Sequence, residues 1–145
     1  MTKLATKAPY LSAMRKEAAE APPYVPDDVV AGVLSFLKVN LITGNAEPIH
    51  RTLSRLRANH AVLQDFTFSS TTRYPFSRLL EEVLTRLQLA RVIGMDNPDY
   101  DRYRINTSAK KIIQDEVVKR RFTEDERRQL VEIPGELEKE CGIEE

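Results

Sequence analysis

The chain is poor in the residues that make covalent staples and ligand cradles. Only one of its 145 residues is a cysteine, Cys141. No disulfide can therefore close within the chain, and a cysteine-based zinc site is out of reach. That usage predicts a reducing, cytoplasmic setting. Glycine occurs five times, at Gly32, Gly44, Gly94, Gly135 and Gly142, and always singly. Phosphate cradles need glycines so that backbone can approach the ligand, so isolated ones argue against a nucleotide site. Nucleophile elbows of the Gly-x-Ser-x-Gly type are missing, and no serine or cysteine sits in a readable triad. No apolar stretch approaches the roughly 18 residues of a membrane span. The first residues mix Lys3, Lys7, Arg15 and Lys16 with Glu17 and Glu20, where a secretory signal would be apolar. An excess of one charge is missing too: 22 basic and 22 acidic residues cancel. The large positive field of a dedicated nucleic-acid binder is thereby excluded, and any such binding has to be local. The expectation is a chain without catalytic residues, cofactor, metal, membrane anchor or small-molecule substrate.

What is present reads as one mainly α domain with a small β-hairpin and extra C-terminal helices. The length suits one domain, and a hydrophobic content of 41% can bury one core while leaving tails. Residues 1–26 run through Ala-rich, polar sequence into Pro22, Pro23 and Pro26, which predicts a short conditional helix over residues 11–21 and then an extended arm. Tyr10, Leu11, Met14 and Tyr24 are this arm's candidate partner contacts. A domain over 27–122 follows. Asp27 and Asp28 can cap a helix whose Val29, Val30, Val33, Leu34, Leu37 and Leu41 recur at three and four, until Gly44 and Asn45 stop it. A second helix can start at Asn45 with Pro48 in its first turn and Ile49, Leu53, Leu56, His60 and Leu63 as its inward stripe. His50 lies off that stripe.

In residues 65–74, Phe66 and Phe68 alternate around threonine before a Ser/Thr cluster, which predicts a short strand and a loop. Pro75 can open a third helix with Phe76, Leu80, Val83 and Leu87 spaced four, three and four apart, and Leu79, Leu84 and Leu89 widening its apolar face. That helix passes without interruption into Arg91–Met95. A turn at Asp96–Asp101 then leads to Arg102–Asn106, in which charged and apolar residues alternate with period two, so a hairpin is predicted. Thr107 or Ser108 can cap a helix carrying Ile112, Ile113, Val117 and Val118 and ending in Lys119, Arg120 and Arg121. Thr123 to Glu126 forms a capping box for a short helix, and Pro134 and Gly142 frame a last one. Residues 123–145 make an acidic helical tail with nine acidic side chains against Arg127, Arg128 and Lys139. Such a tail is either solvated surface or a docking segment that covers a basic face.

Chemistry is thin. Asp96, Asp99 and Asp101 imitate a calcium loop, but the required glycine and terminal glutamate are missing and Pro98 stiffens it, so a turn is the reading. Glu81 and Glu82 diverge by about 100° on a helix and cannot act as a close acid/base pair. His60 on an apolar stripe is first a packed side chain and only then a base; a small hydrolase using it with a distant carboxylate is the weakest class considered. The candidate nucleic-acid contacts are Arg78, Arg86 and Arg91 around the third helix, Arg102 and Arg104 on the hairpin, and Lys110 and Lys111 on the next helix, with Arg73 and Lys119 to Arg121 nearby. The plain alternative is ordinary solvated faces balanced by acids.

The run Tyr74 to Ile93, with Asn97-Pro98-Asp99-Tyr100 and Tyr103-Arg104-Ile105, resembles the helix and wing of winged-helix proteins. More narrowly it is similar to the small middle component of bacterial ABC-three-component, or Lamassu-type, anti-phage systems. That resemblance implies a non-catalytic subunit docking on an SMC-like ATPase and coupling DNA sensing to an effector. Two departures stand out: a link of about ten residues before the third helix, where three or four are usual, and carboxylates in that helix's middle. In a winged-helix reader this helix enters the major groove, where Glu81 and Glu82 would face phosphates. A protein partner is therefore the leading expectation and DNA, read by a dimeric regulator through Arg78, Arg86, Arg102 and Arg104, the runner-up.

Overall fold

The computed structural model describes residues 24–95 and 101–143. In chain order these form α1 (Pro26–Ser35), β1 (Leu41–Thr43), α2 (Ala46–Arg57), a 3-10 turn (Ala61–Leu63), α3 (Arg78–Leu89), β2 (Ile93–Met95), β3 (Arg102–Ile105), α4 (Thr107–Ile113), a π turn (Gln114–Val118), α5 (Lys119–Arg121), α6 (Glu124–Cys141) and β4 (Gly142–Ile143). The fold is mainly helical with a small antiparallel sheet. None of the described helices is long and apolar enough to cross a membrane.

The predicted first helix is shorter than its apolar spacing implies. Pro26 takes its first position, where a missing N–H costs nothing, and the Asp28 carboxylate accepts the Val25 N–H at 2.9 Å. It ends at Ser35, because Leu41, Ile42 and Thr43 leave the helical path to pair with β3, Leu41 opposite Arg104 and Thr43 opposite Arg102. Gly44 belongs to that pairing: its N–H donates to the Asp101 carbonyl at 2.7 Å, and a Cβ there would sit 2.9 Å from the same peptide. The predicted hairpin is present as β2 and β3, with Ile93 opposite Ile105. The sheet has the order β2-β3-β1-β4, so β2 and β4 are its edges.

α2 begins at Asn45, whose side chain accepts the Glu47 N–H, but it stops at Arg57. His60 and Leu63 thus fall outside it, and the path to α3 runs from Ala58 to Ser77, well beyond the ten residues expected. No strand forms over 65–74; a single bridge joins Ser69 to Phe76. Phe66 is instead buried in the core. α3 starts at Arg78 rather than Pro75, because Ser77 caps it by accepting the Leu80 N–H at 3.1 Å. Leu80, Val83, Leu84 and Leu87 face the core, each burial contributing about 1.5–3 kcal/mol. Leu89 faces out.

Asn106, not Thr107 or Ser108, caps α4, accepting the Ser108 N–H at 3.0 Å. Its helical path widens into the π turn and then tightens over Lys119–Arg121. The wider turn aligns residues five apart, so Ile113, Val118 and Phe122 all reach the core while Ile112 stays exposed.

α6 is one helix where two were expected. Thr123 and Glu126 form the predicted reciprocal cap, but the helix continues through Pro134, which leaves the Leu130 carbonyl without its intrahelical donor. The cost of about 3 kcal/mol is offset by burial of Leu130, Ile133, Leu137 and Cys141. This segment, expected as a solvated tail or a docking segment, packs into the same cluster as α1 and α3. Gly32 on α1 marks the closest approach: a Cβ there would meet Leu130 Cδ1 at 3.0 Å and Val118 Cγ2 at 3.3 Å.

Candidate functional site

The surface around α3 and the hairpin carries most of the cations singled out in the sequence, and their partners separate them into two groups. Arg86 belongs to the scaffold. Its Nε and Nη2 donate to both oxygens of Asp27 at 2.7 and 2.9 Å, tying α3 to the start of α1. That hydrogen bond, against the opposing effect of partial burial, holds the Asp27 carboxyl below its ordinary range. Lys110 is scaffold as well: its Nζ donates to the Leu37 carbonyl at 2.8 Å and to Asn40 Oδ1 at 2.9 Å, bracing the α1–β1 turn. Burial lowers its pKa. Both are engaged with groups of the fold. Arg78 pairs with Glu82 at 3.6 Å, Arg102 with Asp101 at 3.6 Å and Lys111 with Asp115 at 3.1 Å. These are exposed pairs that leave the side chains accessible.

Arg91 and Arg104 come together. They line a groove of about 600 Å³ bounded by the end of α3 (Gln88), the hairpin and the start of α4 (Asn106, Thr107), with Asn40 beyond β3. Arg91 is the one described non-glycine residue with positive φ, at 64°. It occupies the position after the helix end where glycine is usual: the Val92 N–H returns to the Leu87 carbonyl at 2.9 Å, and Asn106 Nδ2 donates to the Arg91 carbonyl at 2.9 Å.

The outward stripe of α3 consists of Arg78, Glu82, Thr85 and Leu89, spaced four, three and four apart, all exposed. Leu89 is 79% exposed. Glu81 is turned away from it, toward a site that the sequence did not reveal.

His50, set aside as off the α2 stripe, is completely buried. Its Nδ1 accepts the Ser77 backbone N–H at 3.0 Å, and its Nε2 lies 2.7 Å from Glu81 Oε2. Since Nδ1 accepts, the ring proton sits on Nε2 and is donated to the carboxylate. Phe76 stacks on the ring at 4.7 Å and 2°, while Phe68 and Tyr74 meet it edge-on. His50 thus clamps the start of α3 to α2. A Ser, a His and a Glu together suggest a triad, yet both ring nitrogens are taken, Nδ1 by the Ser77 backbone N–H and Nε2 by Glu81, so neither is left to accept a proton from the buried Ser77 hydroxyl. The clue in the sequence was the aromatic triplet Phe68, Tyr74 and Phe76, read as strand, loop and helix.

His60 is half-buried. Its Nδ1 donates to the Leu56 carbonyl at 2.9 Å and its Nε2 faces Glu132 at 3.3 Å, joining the end of α2 to α6. Tyr24 stacks on Phe122 at 4.4 Å and 19°. Burial first, then Glu126 and Asp65, raises its pKa. Its ring is engaged inside the fold. Tyr10, Leu11 and Met14 lie outside the described residues, as does the turn over 96–100. Among the described residues no three His, Cys, Asp or Glu side chains converge as a metal site would require.

The chain matches no protein-family model, no curated protein and no solved structure.

Proposed function

We propose that the chain is a non-catalytic, cytoplasmic accessory subunit built on a winged-helix-like unit, which binds a partner protein through the outward face of α3. The observation that carries this reading is the stripe Arg78, Glu82, Thr85 and Leu89. A helix that entered a DNA groove would turn toward the phosphates a carboxylate and an exposed leucine, which repel or waste that contact. A helix that meets a protein uses the same residues well, an apolar anchor flanked by a polar rim. The order α1-β1-α2-α3-β2-β3, with β1 completing the hairpin's sheet, supports the winged-helix part of the reading. The sequence resemblance supplies the partner class, an SMC-like ATPase of an anti-phage complex.

The test is co-purification with an SMC-like ATPase encoded beside this gene. The reading expects a stable complex that Leu89→Asp or Glu82→Lys weakens by about tenfold or more while the thermal melt is kept. A monodisperse chain that binds no such ATPase refutes it.

A DNA-binding regulator is the second reading, favoured by the cations at the hairpin, Arg102 and Arg104, beside Arg91. It expects affinity that falls steeply with salt and with Arg102→Ala. Absent or salt-insensitive binding removes it.

A further inference from the structure

The core is not filled where α1, α2, α3, α6 and β1 converge. A buried void lies there, and the centre of a water-sized sphere can move through about 20 Å³ of it. Val33 and Leu34 of α1, Leu53 of α2, Leu80 and Leu84 of α3 and Leu137 of α6 stand around it, and every other side chain of its lining is also Val, Leu or Ile. None of these six is more than 5% exposed. The void is therefore walled by the described core itself and opens on no charged or polar side chain.

The walls are held in place by contacts that do not depend on the void. α1 already meets α6 at its closest approach, where Leu130 and Val118 crowd Gly32. The Arg86–Asp27 pair fixes α3 to the start of α1, and His50 fixes α3 to α2 through the Ser77 N–H and Glu81. Drawing the helices together to close the gap would break those bonds. The valine and isoleucine side chains of the lining are stiff at χ1 and cannot swing in to fill it. A core held in this way relaxes only partly around missing volume, so the void persists.

Size and lining select the occupant. A water molecule needs roughly 10–15 Å³ on the same measure and two to four polar partners; the room is present and the lining offers no partner, so the void stays dry. An apolar atom placed there instead supplies the dispersion contacts that the lining side chains lack on that side. We propose that this void is a binding site for a small apolar ligand, a noble-gas atom or a hydrocarbon of one or two carbons. An aromatic ring exceeds the space. Leu80 and Leu84 line the void from the inner side of α3, whereas Arg78, Glu82, Thr85 and Leu89 face outward, so this site and the partner face share no residue. The assignment does not depend on which partner the chain binds.

Xenon is the probe. The full chain, carrying labelled methyl groups, is titrated with xenon under pressure and followed by methyl NMR and by thermal melting. The expected result is a saturable shift concentrated on the methyls of Val33, Leu34, Leu53, Leu80, Leu84 and Leu137, with those of the exposed Leu89, Ile112 and Val131 unmoved. The melting temperature should rise with xenon pressure, because only the folded chain holds the site. Val29→Ile and Val33→Ile each add a methylene to the lining and should weaken the xenon shifts by about tenfold or more. Benzene should move none of the lining methyls in the parent chain. Shifts spread evenly over buried and exposed methyls, a melting temperature independent of xenon pressure, or cross-relaxation from a resident water to the lining methyls would each overturn the assignment. So would parental xenon binding in both valine variants, and benzene binding at the same methyls would overturn the limit on ligand size.

Discussion

His50→Phe isolates what the buried imidazole contributes beyond its shape. Phenylalanine keeps a planar ring that can stack on Phe76 and fills the same space, so the transfer and cavity contributions nearly cancel. Both hydrogen bonds are lost, and with unequal consequences. Glu81 is 38% exposed and returns to water, which limits that loss to under about 1 kcal/mol. The Ser77 N–H is buried at the start of α3 and finds no new acceptor, at a cost of about 1–3 kcal/mol. The sum is about 1–4 kcal/mol, or a melting temperature lower by roughly 3–15 °C for a chain of this size. Urea unfolding followed by circular dichroism gives the free energy, and calorimetry the midpoint. Glu81→Gln completes the argument: the amide oxygen still accepts from Nε2, so the variant should lose less than about 1 kcal/mol. A His50→Phe protein as stable as the parent would refute the clamp. A Glu81→Gln loss as large as that of His50→Phe would show that the Glu81 contact, and not the Ser77 N–H, carries the clamp.

Three further outcomes follow from the described contacts. Gly32→Ala should destabilise by about 1–2 kcal/mol in chemical denaturation, because overpacking against the buried Leu130 and Val118 exceeds the helix-propensity gain of about 1 kcal/mol; a stabilised variant would show that α6 can yield there. Asp27 has its pKa lowered in the folded state by Arg86, so its contribution is fully present above the ordinary aspartate range. That contribution is lost as pH falls through the lower folded value, so the parent and Asp27→Asn should differ in melting temperature at pH 7 and converge in acid; a constant difference would contradict it. Burial pushes the Cys141 thiol up to about 11, with a lesser opposing hydrogen bond from Thr52, so iodoacetamide at pH 8 should label it only as fast as the chain unfolds; rapid labelling of the native protein would show α6 to be open at its end.

The elements legible in the sequence are those in which spacing and burial coincide over several turns. α3 and the hairpin were readable because Leu80, Val83 and Leu87 repeat at helical spacing and Arg102 to Ile105 alternate without a break. β1 was not, since Leu41 continues the three-and-four spacing of α1 and nothing local shows that Ile42 and Thr43 will find a strand 60 residues away. α6 was divided at Pro134 because the penalty of an interior proline is local and visible, while the burial that offsets it comes from other helices. The basic residues show the same limit. In sequence nothing separates Arg86 and Lys110 from the other basic residues, and only Asp27, Leu37 and Asn40, all distant along the chain, reveal that they serve the fold. His50 was missed because its environment is built by the aromatic residues of a long, irregular loop.

The π turn at Gln114–Val118 sets a rotational phase. In an uninterrupted α-helix each residue advances about 100°, so restoring that geometry by deleting one residue from 114–117 would keep the backbone ladder regular. Everything after it would then keep its orientation only if the numbering also moved back by one. A substitution that instead tightened the turn without deletion would swing Val118 and Phe122 off the core and leave Tyr24 without its stacking partner. The segment therefore behaves as a counted insertion: its length in residues is what joins Ile113 to the entry of α6, so deletion of one residue from 115–117 should be tolerated, while insertion of one should not.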